Sequence, residues 1–317
     1  MKRFLKICWA AALALSIPAT AMAADWTPPG PIKMMVGFAA GGGADTQARL
    51  IAEAIEEKTG WTILPEQVTG NSGLNLLTAL KKEPGDGTAF GMGISETLSY
   101  NLLAAPGSGL TADDFTPIAT TAAFQMGLVA MAGGDFDSWD KVKAANDAGK
   151  SIRIGVATTR QGDLAYVFGK NAGIDFNIVS VKGGKAIMNG MRAGDIDIGW
   201  VAGAQAKFVA QGEMVNIATA IQTPLRESPD APSITDLGSP YYMDGYFMFI
   251  APGDMDPAAR DKISGAISDV LNDPETDAAK LVSKAFGGAT IYTGDDLDAL
   301  VSQAVADSAE LLKAAAE

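Results

Sequence analysis

The chain has 317 residues, 48% of them apolar, with 36 glycines and a formal net charge of −13. That length suits two domains, the apolar content supports a buried core, and the acidic balance argues against nucleic acid or anionic membrane surfaces as partners. There is no histidine and one cysteine, which removes Ser-His-Asp and Cys-His catalysis and the usual zinc ligands.

Residues 1–23, MKRFLKICWAAALALSIPATAMA, place Lys2, Arg3 and Lys6 before an apolar run and then Ala21-Met22-Ala23. That order predicts a secretory signal peptide cleaved after Ala23, and hence a periplasmic protein. Cys8 precedes the apolar run, which does not suit a lipoprotein site. Cleavage leaves 21 of the 24 basic residues against 37 acidic ones, a net charge of −16, and a chain without cysteine.

After a Pro/Gly leader, the pattern predicts a strand over 32–38, a helix over 45–59 ended by Gly60, a strand over 61–68 and a helix over 74–82. A PGDG turn precedes a strand over 88–93, and a helix over 95–103 follows. A long apolar strand at 124–131 marks a crossover into a second block. There the order recurs: helix 137–148, strand 152–157, helix 162–171, strand 176–181, helix 186–193 and strand 196–201. Past a Pro-rich segment at 223–233 come a strand at 246–251, helices at 256–271 and 273–286, a short strand at 289–292 and a helix at 295–315. Alternation of this kind implies α/β architecture with parallel sheets.

Five strand-to-helix loops consist largely of small residues: 39–46, 69–73, 93–97, 157–162 and 182–185. In open α/β sheets such loops are where ligands bind, and helix N-termini favour anions. Read together, they predict one shared cleft. The first loop, GFAAGGGADT, is not a Walker A motif, because no Gly-Lys-Ser/Thr follows. It also departs from G-x-G-x-x-G, since Thr46 stands where the third glycine belongs. In the loop at 157–162, Arg160 has the chemistry to hold a carboxylate by two parallel hydrogen bonds, or is a surface arginine. Asp163 suits a helix cap.

VGFAAGGGADTQARLIAEAI resembles the first loop and helix of the Bug/TctC-like extracytoplasmic solute receptors of tripartite tricarboxylate transporters. In the same order along residues 30–290, TGNSGLNLL, EPGDGTAFGMGISETLSYN, FNIVSVKGGKAIMNGMRAGDIDIGW and YFMFIAPGDMDPAARDKISGAISDVLNDPETDAAK are similar to further family segments. Where the family's third loop commonly carries histidine, this chain has Asp163, and the tyrosine of the family's V-P-Y-K-G is Val181.

The resemblance implies a two-domain periplasmic-binding-protein fold of type II-like topology with one ligand in the cleft between domains. Domain 1 would combine 25–123 with 240–317, and domain 2 would be 124–239. The ligand it implies is a small carboxylate. The contacts it implies are Phe38, Ala39, Ala40, Gly41, Asp45, Ser72, Gly73 and Ser95 from the first domain. From the second they are Thr158, Thr159, Arg160, Gln161, Gly183, Gly184, Ala202 and Gly203, with Asp197 near the hinge side of the cleft. The implied partners are the integral-membrane permease subunits, with a monomeric receptor and no catalytic residue, metal or cofactor. Two other readings stay open. One is a sensory receptor that presents its ligand to a signalling partner. The other is a secreted enzyme using Asp163, Lys182 and Lys185.

Overall fold

The computed structural model describes residues 26–317, so the leader at 1–23 lies outside the described residues. Two five-stranded mixed sheets carry the chain. The first contains β1 (Ile32–Val36), β2 (Ile63–Gln67), β3 (Ala89–Ile94), β4 (Phe115–Ala123) and β10 (Tyr246–Pro252), in the order β2-β1-β3-β10-β4. The second contains β5 (Met126–Met131), β6 (Ile152–Val156), β7 (Phe176–Ser180), β8 (Ile198–Ala202) and β9 (Met214–Thr219), in the order β7-β6-β8-β5-β9. The sheets repeat one design. Three strands run parallel, and the fourth place is taken antiparallel by the strand entering from the other half of the chain, β10 in one sheet and β5 in the other.

The period-two alternation of the strands decides which helix covers which face. Ile32, Met34 and Val36 of β1, with Phe247 and Phe249 of β10, join a core with α1 (Gly43–Thr59) and α9 (Pro257–Asn272). Met35, Met248 and Ile250 point the other way, toward α2 (Leu74–Leu80) and α11 (Gly294–Ala315). In the second sheet, Ile154, Ile198 and Trp200 pack with Phe168 of α6 (Thr159–Ala172), and Val129 and Val201 pack with α7 (Gly184–Ala193). The helices α3 (Ser95–Leu98), α4 (Tyr100–Leu103), α5 (Trp139–Asp147), α8 (Ala206–Ala210) and α10 (Asp277–Phe286) complete the layers.

Glycines on the strands let α2 and α7 settle close to their sheets. A Cβ at Gly91 would stand 2.6 Å from Leu76 Cδ1, and one at Gly199 would stand 2.4 Å from Ile187 Cγ2. The two crossings between sheets lie side by side. Phe124 N–H donates to the Gly245 carbonyl at 2.8 Å, and the Phe124 ring occupies the space that a Gly245 side chain would need.

Two strands were not anticipated from the sequence, β4 and β9. The β4 segment, FTPIATTAA, lacks alternation and holds Pro117, which is tolerated because β4 is an edge strand and Pro117 stands beside a register shift opposite Ile250. β9 is likewise an edge strand. The short strand expected at 289–292 is absent; Thr293 makes only an isolated bridge to Ala119. The helix expected over 95–103 breaks at Ser99, where ψ is −99°.

Gly199→Ala should lower the thermal midpoint, because overpacking a filled interface costs about 1–3 kcal/mol. Calorimetry checks this, and an unchanged midpoint would mean that α7 moves away without cost.

Candidate ligand cleft

The C-terminal ends of both parallel strand sets face each other, so the small-residue loops meet between the sheets. A partly open cavity of about 60 Å³ lies there. Phe38 and Ala39 line it with the start of α1 at Gly42–Ala44, as do Thr158 and Gln161 of the α6 entry, Gly183 and Gly184 of the α7 entry, and Ala202. The remaining wall is apolar: Ile94, Phe124, Met126, Trp200, Val201 and Phe247.

Two helices enter this cavity without a side-chain cap. α1 follows Gly42 and α7 follows Gly183, and neither position has a side chain to accept from the first-turn N–H groups. Ser138, Asp256 and Thr276, by contrast, cap α5, α9 and α10 through their side chains. The uncapped pair leaves donors and partial positive charge directed at the cavity. Lys185, in the first turn of α7, is largely exposed and stands at the cavity mouth, where its Nζ donates to the Ala40 carbonyl at 3.3 Å. Gly41 has φ of 71°, and a Cβ there would lie 2.5 Å from Lys185 Nζ, so glycine keeps room for the ammonium. Trp200 is fully buried, and its indole N–H has no hydrogen-bond partner in the protein.

Asp45 does not face the cavity. Its carboxylate accepts from Gly41 N–H at 2.7 Å, Arg49 Nε at 2.8 Å and Gln67 Nε2 at 2.5 Å, so it braces the loop from behind. Gln161 likewise supports its own loop, accepting from Ala157 N–H at 2.7 Å.

Other expected residues close the cleft at its sides. Ser72, with φ of 55°, accepts Thr159 N–H on Oγ at 2.9 Å from across the gap, beside Gly73. Ala39 N–H donates to the Lys182 carbonyl at 3.3 Å. Ser95 Oγ accepts from Tyr246 N–H at 3.1 Å on the crossover side. Gly203 N–H donates to Gln205 Oε1 at 2.7 Å, and its α-carbon abuts Phe286 outside the cavity.

Three expectations are corrected. Arg160 is not available to a ligand carboxylate. Its guanidinium donates to Glu96 Oε1 at 3.0 Å, to the Asp244 carbonyl at 2.9 Å and to the Tyr242 carbonyl at 3.2 Å. Asp197 does not join the cleft at all. It sits just before β8, at the opposite end of the strand from the ligand loops, and grips Arg153 through Oδ1 at 2.6 Å and Oδ2 at 3.0 Å. Asp163 is no cap for α6; Thr158 caps that helix, and Asp163 accepts from Tyr100 Oη at 2.7 Å across the cleft.

Sequence reasoning missed Glu96, Tyr100 and Asn101. Glu96 is 1% exposed and also accepts from Thr158 Oγ1 at 3.2 Å. Asn101 Oδ1 accepts Arg160 N–H at 3.2 Å. The available signal was a glutamate two residues past an apolar strand, matched by an arginine in the facing loop. Burial pushes the Glu96 carboxyl above the ordinary range despite Arg160 and Thr158, and burial likewise raises Asp163 against the pull of Tyr100. Among the described residues no group of three or more His, Cys, Asp or Glu is placed to hold a metal, and no helix is long and apolar enough to cross a membrane.

Two lobes of like topology around a cleft, with uncapped helices facing a shared cavity, define a solute-binding protein. Residues 47–315 match the tripartite tricarboxylate transporter family receptor, and the chain belongs to that family of non-enzymatic solute receptors. Among curated relatives, BugT of Bordetella pertussis is 24% identical over 294 residues, covering 86% of this chain and 84% of that protein. A UPF0065 protein of Agrobacterium vitis is 27% identical over 270 residues, covering 81% and 76%. The fold is similar to that of MatC from Rhodopseudomonas palustris with bound malate (TM-score 0.78, 18% identity, 90% of this chain and 99% of that one). It is also similar to an R. palustris protein with adipate (TM-score 0.80, 20% identity, 91% and 98%) and to the periplasmic binding protein BugD (TM-score 0.79, 20% identity, 92% and 99%).

Arg160→Gln should open the ligand-free protein, because Glu96 then prefers water to an unpartnered burial. Small-angle scattering should show a larger radius of gyration, and Glu96→Gln added to it should restore compactness. A carboxyl whose pKa is higher with the cleft shut binds its proton more tightly in that state. Closure is therefore favoured below the ordinary carboxylate range, and that contribution is lost as pH rises through the raised values. The compact fraction should fall as pH rises above the ordinary carboxylate range of about 4, and Asp163→Asn should flatten the change. A pH-independent radius in the parent protein would refute this.

Proposed function

We propose that this receptor captures a small organic carboxylate in the cleft and delivers it to the integral-membrane permease subunits of a tripartite tricarboxylate-type transporter. The observation that carries this reading is the pair of uncapped helix N-termini, α1 and α7, converging with Lys185 on one cavity. The relatives solved with malate and adipate support the choice of a carboxylate. The proposed site of action is the periplasm, after cleavage near Ala23, and the proposed working form is a monomer.

In this reading the lobes are 25–123 with 240–317, and 124–239. They close by a hinge at the paired crossings beside Phe124 and Gly245. Phe38, Ala39, Thr158, Gln161, Gly183, Gly184 and Ala202 surround the ligand. Ala40, Gly41 and Asp45 hold the first loop and the lysine in place. Ser72, Gly73, Ser95, Thr159, Arg160 and Gly203 shape or latch the rim. Charge does not oppose this assignment: surface repulsion is screened beyond about 8 Å at physiological salt, so the donors inside the cleft decide.

A thermal-shift screen of the purified protein against organic acids tests the reading. A ligand at a hundred times its Kd adds about 2.7 kcal/mol, or roughly 4 °C for a chain of this size. Lys185→Gln should weaken the hit at least about tenfold by calorimetry, since a charge-assisted hydrogen bond is worth about 1.5–3 kcal/mol. If no carboxylate moves the midpoint at millimolar concentration, the reading falls.

A further inference from the structure

The charge and lining of the cavity bear on which carboxylate it takes. We infer that the ligand is a monocarboxylate with an apolar body, and that di- and tricarboxylates are disfavoured. This rests on the carboxylate-receptor reading above.

Charge is the first argument. Among the described residues, Lys185 is the one charged side chain lining the cavity. Its Nζ meets a backbone carbonyl, so its charge is free to pair with one anion. Arg160, the obvious second cation, is already neutralised by Glu96 and held by two carbonyls. A second ligand carboxylate would be desolvated without a counter-charge, which is unfavourable.

The lining is the second argument. Opposite the helix N-termini stand Ile94, Phe124, Met126, Trp200 and Phe247, all buried. Such a wall rewards hydrocarbon and offers a second carboxylate only the Trp200 indole N–H as a side-chain donor.

A second carboxylate would have to reach out of the cavity, either past Lys185 into the outer groove that Arg192, Lys207 and Lys284 line, or past Phe38 and Thr158 into the groove that Lys182 lines.

Titration calorimetry with propionate, butyrate, benzoate, malate and adipate at neutral pH tests the inference. Propionate or butyrate should bind at least tenfold more tightly than malate or adipate, and Lys185→Gln should remove at least tenfold of that affinity. Tighter binding of malate or adipate overturns it; if Lys207→Gln then weakens adipate, the second carboxylate is being read in the outer groove. If none of the five acids binds, and a wider acid screen also fails, the carboxylate reading itself is what fails.

Discussion

The contact between the two lobes is organised around one buried carboxylate. Glu96 lies in α3, just past β3 in the first lobe, almost wholly removed from water, and its hydrogen-bond donors Arg160 and Thr158 come from the second. A charge in that position is tolerated only when partners reach it, so the lobes must come together before Glu96 can be sheltered. Arg160 in turn holds two carbonyls of the returning crossover. The same contact thus ties the α6 entry loop, α3 and the hinge segment to one another. Thr158 and Gln161 are brought over the cavity as a result, and the ligand loops are held in register on a frame that is itself built from the cleft rim.

The division of labour among the loops follows. The residues that face the cavity are mostly small or apolar, with Thr158, Gln161 and Lys185 as the polar exceptions. The residues with strong side-chain chemistry, Glu96, Arg160, Asp163, Tyr100 and Asp45, are spent on one another or on the backbone. Recognition is left to N–H groups, one lysine and shape.

Much of the fold was legible in the sequence because the parallel strands are apolar runs and the glycine loops punctuate them. β4 and β9 were not legible. Both are edge strands whose small or mixed side chains carry no alternation, and they pair only because a crossover strand arrives from elsewhere in the chain. The cavity-lining loops were visible as a set, since Gly183, Gly184 and the Phe38–Gly43 stretch have no other good use at strand ends. What spacing could not convey was direction. Arg160 and Asp163 sit in the expected loop, yet their side chains turn outward to Glu96 and Tyr100, and that choice depends on partners more than sixty residues away in sequence. Asp197 misled because a motif match names a strand without saying which of its ends faces the ligand.

The strand orders also bear on synthesis and export. Every strand of the second sheet lies within 126–219, so that sheet has all its parts once this contiguous stretch is free to fold. The first sheet cannot be completed so early. β10, which separates β3 from β4, begins only at Tyr246, and until it arrives β4 has no neighbour in its sheet. A chain emerging from its N-terminus therefore finishes its middle lobe first and carries an unfinished leading lobe, with two unpaired strand edges, until its last third appears.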